Sequence, residues 1–198
     1  HAYDSVNFAP FKGLTLDMKF DYDCSFVGTV GAGDVIVTPV HWNDRTPDQL
    51  DTLAQFWDAH CTESDRYRLK GLEVSQASHL VNIEYPKLSE VYHRTRVNLN
   101  LTTYQSNEAA PNRVFDIMAS RSFLLTDRKR DIVELLDVER RPASPLQMCM
   151  FDSMEDLVKK KKFALENVNA RFDAAELLYD TVLPHTYAVR AKEILSAV

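Results

Sequence analysis

Residues 97–127, VNLNLTTYQSNEAAPNRVFDIMASRSFLLTD, decide the fold. Val97, Leu99 and Leu101 alternate with Asn98, Asn100 and Thr102, the period of two that marks a strand. Turn-forming residues follow as far as Pro111. Residues 113–120 then set Val114, Ile117 and Met118 on one helical face, and Phe123-Leu124-Leu125 reads as a second buried strand. Strand, helix and strand in that order predict a parallel β-α-β unit, whose helix starts at the carboxyl edge of the sheet. Backbone N–H groups without intrahelical partners collect there and attract anions. Glu108 and Asp116 flank that helix start with seven residues between them. A diphosphate with a hydroxyl-rich group attached suits such a place.

Outward from this unit the chain keeps alternating. Residues 24–30 form a short apolar run ending in glycine, the first expected strand. Gly28, Gly31 and Gly33 follow as G-x-x-G-x-G, which has the wrong spacing for a dinucleotide loop. No helix follows directly either, because 35–40 is β-branched and contains Pro39, so a flexible turn is the simpler reading. Thr46-Pro47-Asp48-Gln49 is a helix start, with a capping threonine, proline at the first position and glutamine three residues after the cap. That helix runs to about residue 60. Strands are expected at 67–74, 80–83 and 147–151, and helices at 86–94, 131–136, from Ser153, at 170–183 and at 186–197. Pro184 separates the last two. Alternation of this kind implies an α/β domain, a parallel sheet covered by helices on both faces. Residues 1–20, poorly patterned and containing Pro10 and Gly13, read as a linker or a segment of a preceding domain, with 21–198 as the domain itself.

Composition narrows the partners. With 198 residues, 45% hydrophobic and 26% charged, the chain fills one sizeable core. A net charge of −6 argues against nucleic acid, which demands clustered cations. The one basic run, 159–162, lies in a helical pattern with Asp152 and Glu155 before it and reads as a solvated helix face. Cys24, Cys61 and Cys149 are far apart and odd in number, as expected of packed, reduced thiols in a cytoplasmic protein. No window approaches the ~18 apolar residues of a membrane span. The remaining histidines, His1, His41, His60, His79 and His93, lack metal-ligand spacing, and His93 is expected to face solvent.

The run RVFDIMASRSFLLTDRKRDIVELLD, preceded by VYHRTRVNLNLT and followed by FDSMEDL and HTYAVRAKEIL, resembles the CgeB/YkvP-like glycosyltransferases. These belong with the GT-B class, near the GT4 enzymes. The resemblance covers residues 22–198 and is densest from Tyr92 onward. It implies a Rossmann-like three-layer domain with a parallel sheet, the C-terminal half of a GT-B glycosyltransferase, ending in extra C-terminal helices. The activity implied is transfer of a sugar from a nucleoside diphosphate sugar to an unknown acceptor, without metal or resident cofactor, and with retention. The chain opens on His1-Ala2 and has room for one of the two GT-B halves, so the N-terminal half is expected to be missing and the chain poorly active alone.

By the same resemblance Glu108 and Asp116 match an E-x7-E pattern, with aspartate in the second place. Glu108 would take the donor sugar's hydroxyls and Asp116 the nucleotide ribose, a task that suits acceptor-only carboxylates. The plain alternative is a surface glutamate and a capping or salt-bridged aspartate. Arg113 would bind the pyrophosphate or lock Asp116 in place, with a plain surface arginine as the alternative, so Glu108 and Arg113 are the catalytic candidates. Asn112, Asn100, Tyr104, Ser106 and Asn107 are donor-site candidates by position. Gly28 and Thr29 join them because the turn after the first strand approaches the donor phosphates in GT-B enzymes. Tyr85 would stack on the base, or be a rim aromatic. Asn98 and Asn100, unfavourable in a central strand, imply hydrogen-bonding duties, structural or ligand-facing. His185-Thr186-Tyr187 resembles an HT-Y signature before the last helix, where packing or hinge duty is expected.

One departure stands against the resemblance. Arg121-Ser122 occupies the place of a glycine pair, and no glycine follows Gly71. A degenerate, non-catalytic GT-B-like domain that binds nucleotide or a partner is therefore the alternative. A flavodoxin-like or receiver domain is a third; a receiver would need acidic residues at the end of its first strand, whereas Asp21 and Asp23 precede it.

Overall fold

The computed structural model describes residues 2–5, 11, 13–15, 17–27, 35–39, 78–80, 85–101 and 108–196. Its centre is a six-stranded sheet. The strands are β1 (Tyr22–Val27), β2 (Val35–Pro39), β3 (Ser78–Leu80), β4 (Thr95–Asn100), β5 (Leu124–Asp127) and β6 (Met150–Phe151), in spatial order β3-β2-β1-β4-β5-β6. β1, β4, β5 and β6 are parallel neighbours, in a register that sets Cys24 beside Val97, Asn98 beside Leu124 and Thr126 beside Met150.

The parallel sheet expected from the alternation is formed by β1, β4, β5 and β6, and on one side β2 and β3 extend it as antiparallel strands. Residues 28–34 are too few for the crossover that a parallel neighbour requires, which takes a dozen residues or more. The chain reverses after β1 instead.

Six helices are described: α1 (Tyr85–His93), α2 (Asn112–Ala119), α3 (Arg130–Leu136), α4 (Met154–Glu166), α5 (Val168–Val182) and α6 (Tyr187–Ser196). α2 and α4 both pack on β4 and β5, and α5 packs on α2. This is the α/β, Rossmann-like arrangement, closed by C-terminal helices. Val97, Leu99, Val114, Ile117, Leu124, Leu125, Leu157 and Leu178 form the heart of one continuous core. Burial of each such side chain contributes about 1.5–3 kcal/mol.

Local chemistry explains the ends of the elements. Ser153 accepts from the Asp156 N–H at 3.1 Å and, with Glu155 and Asp156 in the first turn, starts α4. At its other end Arg171, 2% exposed, donates to the Ala164 carbonyl at 2.6 Å. The Arg171 guanidinium lies 5.4 Å from the ring centres of both Phe20 and Phe172, and burial lowers its pKa to about 10.

Two local expectations change. The strand at 147–151 is mostly a 3-10 turn, Pro145–Cys149, because Ser144 caps the Leu146 N–H and Pro145 occupies the first position. Strand β3 is described as Ser78–Leu80, and residues 81–83 of the strand expected at 80–83 lie outside the described residues. His93 is buried, not solvent-facing. It stacks on Phe11 with ring centres 4.1 Å apart, and its Nδ1 donates to the Ser120 carbonyl at 2.9 Å. The expected helix from Thr46 and the strand at 67–74 lie outside the described residues.

The basic run fits a solvated face: Lys159 and Lys162 are exposed, while Lys160 pairs with Asp156 at 2.9 Å. Cys24 and Cys149 are buried free thiols, and burial pushes Cys24 up to about 12.

Candidate functional site

The carboxyl ends of β4 and β5 carry Asn100 and the pair Thr126-Asp127, facing the start of α2 across the parallel crossover. Asparagine sits in this strand twice, with two different duties. Asn98 is satisfied on every side: Ser25 Oγ donates to its Oδ1 at 2.7 Å, and its Nδ2 donates to the Tyr92 and Phe123 carbonyls at 3.0 and 3.3 Å. Its role is structural. Asn100 stands at the strand end and donates from Nδ2 to Thr126 Oγ1 at 2.8 Å.

Helix α2 begins after Pro111, whose side chain cannot cap it, and has no acidic residue in its first turn. Its positive end is therefore not neutralised from within the helix. Asn112 is exposed at the first position and donates to the Tyr187 hydroxyl at 3.4 Å. Arg113 follows, half-buried. Burial lowers its pKa, opposed by the electrostatic field of Tyr92, Asp127 and Asp116. The guanidinium thus feels charge from α1, from the end of β5 and from its own helix. Asp116, one turn further on, is 5% exposed and belongs to the same charge cluster.

Glu108 lies on the approach to α2. Its carbonyl accepts the Asp131 N–H at 3.1 Å, tying the approach to the first turn of α3. Its carboxylate is exposed and 3.7 Å from Arg130 Nε. Lys129 Nζ is 3.4 Å from Asp127 Oδ2, with both side chains about four-fifths buried. The carboxyl edge thus interleaves cations (Arg113, Lys129, Arg130) with carboxylates (Glu108, Asp116, Asp127). Such an edge can hold an anionic group and accept hydrogen bonds from hydroxyls close by.

Of the residues expected from sequence, Asn100 bonds Thr126 at the end of β5, Arg113 and Asp116 share a charge cluster with Asp127, Glu108 meets Arg130, and Asn112 meets Tyr187. Gly28, Thr29, Tyr104, Ser106 and Asn107 lie outside the described residues, as does the side chain of Tyr85, the first residue of α1. Thr126, Asp127, Lys129 and Arg130 were not anticipated. The signal was available: they directly follow Phe123-Leu124-Leu125, and the residues after a parallel strand next to the switch of chain direction line the cleft. Among the described residues, no group of His, Cys, Asp and Glu is arranged to hold a metal ion.

The HT-Y segment packs against α2. The His185 ring lies 5.8 Å from that of Phe115. Arg190 Nη2 is 2.6 Å from His185 Nδ1; a guanidinium only donates, so the imidazole accepts there and its proton is on Nε2. Burial, then Arg190, lowers the His185 pKa in agreement. Thr186 caps α6 by accepting the Val189 N–H at 3.1 Å, and Tyr3 pairs with it as an isolated parallel bridge. Packing duty is what this segment performs.

Arg121, at the place where the resemblance leads one to expect a glycine, has a φ of 52°, a backbone conformation that favours glycine. It follows the C-terminal end of α2. Eight helical residues span about 12 Å, so Arg121 sits at the opposite edge of the sheet from Asn112. The departure therefore concerns the return into β5 and not the candidate site.

Residues 34–196 of the 198 match the family model described as glycosyl transferase-like. No curated protein and no solved structure shows significant similarity. The fold, the order of its elements and a match over most of its length agree: the chain belongs to the glycosyl transferase-like family.

Proposed function

We propose that this chain is the donor-binding half of a metal-independent, retaining GT-B glycosyltransferase of CgeB-like type, acting in the cytoplasm on a nucleoside diphosphate sugar. The observation that carries the reading is the meeting of Arg113, Asp116 and Asn100 with Asp127 and Lys129 at the carboxyl edge of β4 and β5. In this reading the diphosphate lies against the start of α2, where the helix dipole, Arg113 and Lys129 stabilise the charge that develops as the sugar leaves. Glu108 accepts hydrogen bonds from the sugar hydroxyls and Asp116 from the ribose. The sugar acceptor and any general base belong to the second GT-B domain, so the chain alone binds donor better than it turns it over.

A thermal-shift screen against UDP, GDP, ADP and dTDP tests the reading. One nucleoside diphosphate is expected to raise the melting temperature in a concentration-dependent way. No shift with any of them at millimolar concentration would count against a donor site.

A further inference from the structure

Asn100 is fully buried, with 0% of its surface exposed, and its Oδ1 has no hydrogen-bond partner among the described residues. The orientation of the amide follows from its neighbours. Thr126 Oγ1 directs its own hydrogen at Asp127, whose carbonyl and Oδ1 lie 3.2 and 3.4 Å away. Its lone pair is then left to accept from Asn100 Nδ2 at 2.8 Å. The Asn100 oxygen is turned away from Thr126 and held there. Two residues earlier on the same strand face, every polar atom of the Asn98 amide has a partner. The contrast within one strand matters, because a buried carbonyl oxygen without a partner forfeits the hydration it had in the unfolded chain.

We propose that Asn100 is a hydroxyl-reading residue of the donor site: its Oδ1 accepts a hydrogen bond from a sugar hydroxyl of the bound nucleotide sugar, and Thr126 positions the amide for it. This rests on the donor-site reading above. An amide oxygen offers no proton to an ionised phosphate, so a phosphate is excluded as its partner. Neutral O–H donors of the ligand are what the position accommodates. The ribose and the transferred sugar both carry them.

The test compares wild type with Asn100→Leu and Thr126→Val by titration calorimetry and urea denaturation, using UDP, GDP and ADP and then UDP-glucose, GDP-mannose and ADP-glucose. Leucine keeps the branching and heavy-atom count of the Asn100 side chain, is somewhat larger, and removes the orphaned oxygen. Folding stability is expected to change little, while affinity for the ligand that binds wild type falls roughly ten- to a hundredfold. Thr126→Val leaves Asn100 in place but frees the amide, and affinity is expected to fall several-fold, which also covers a failure of Asn100→Leu to fold. A loss with nucleotide and nucleotide sugar alike assigns the hydroxyl to the ribose; a loss with the nucleotide sugar only assigns it to the transferred sugar. Wild-type affinity in both variants, with ligand binding intact, overturns the role of Asn100 and leaves the donor-site reading standing. Absence of binding of all six ligands to wild type overturns both.

Discussion

Arg121 grips Glu176 with two nitrogens: Nε lies 2.9 and 3.0 Å from the two carboxylate oxygens, and Nη2 lies 2.5 Å from Oε2. Its third nitrogen donates to the Phe11 carbonyl at 3.2 Å, and the guanidinium covers the Tyr179 ring at 5.0 Å. A large residue in a left-handed backbone conformation thus binds the turn after α2 to α5 and to the N-terminal segment. The outward course of its head toward a carboxylate is the one expected if the residue does not fill the donor's space.

The left-handed conformation makes a signed prediction at Arg121. Arg121→Ala and Arg121→Gly both lose the Glu176 pair, which is partly exposed and contributes no more than about 1 kcal/mol. Only alanine also meets the steric penalty at φ 52°. Urea denaturation is expected to find Arg121→Ala less stable than Arg121→Gly by about 1 kcal/mol. Equal stabilities would mean that the turn relaxes out of this conformation.

Because that turn is at the far edge of the sheet, restoring the glycine pair (Arg121→Gly with Ser122→Gly) is expected to leave nucleotide affinity within a few-fold. A gain of about a hundredfold, ~2.7 kcal/mol, would show that the native residues block the pocket and would favour a non-catalytic domain.

Asp116 offers the converse experiment at the site edge. Asp116→Ala is expected to weaken nucleoside diphosphate binding about tenfold, or ~1.4 kcal/mol for one charge-assisted contact. Since Asp116 is buried in the Arg113 cluster, the variant is also expected to lose stability. Lost stability with unchanged affinity would confine Asp116 to a structural role.

Binding of the same nucleotide is expected to survive EDTA, since cationic side chains and the start of α2 carry the diphosphate in this reading. Strict dependence on added magnesium or manganese would sink the metal-independent assignment.

His93 predicts a pH effect on stability. Burial lowers its pKa below the ordinary 6.5, with the Ser120 and Arg121 backbone opposing and the Arg121 charge adding to the shift. The unfolded chain therefore binds a proton more readily than the native one. Stability is full above about pH 6.5 and is lost as pH falls from there toward the depressed native value. Asparagine at this position keeps a donor for the Ser120 carbonyl but cannot titrate. Denaturation between pH 7 and 5 is expected to give His93→Asn a shallower decline than wild type; parallel slopes would mean that other groups carry the acid dependence.

Local pattern was enough to read the β4-α2-β5 unit, because its strands are buried on both faces and its helix has one apolar side between Pro111 and Ser120. The same pattern sets Arg113 and Asp116 one turn apart on that helix, since spacing along a helix is a local property. The course of β2 and β3 also follows a local limit, the short connection after β1, but the expected periodicity did not reveal it. Other features needed the folded chain. The two asparagines of β4 look alike in sequence, yet Asn98 meets Ser25 and two carbonyls while Asn100, among the described residues, bonds only to Thr126, because their partners come from β1, α1, β5 and the residue before that strand. His93 looks like a surface residue until Phe11 and the turn at Ser120 close over it. Arg121 looks like an obstruction until α2 is seen to run its length away from the site edge. Residue type and period act over one or two helical turns, and they determined which elements form. Which polar atom is left open at their ends depends on contacts between residues far apart in the chain, and only the tertiary arrangement decided that.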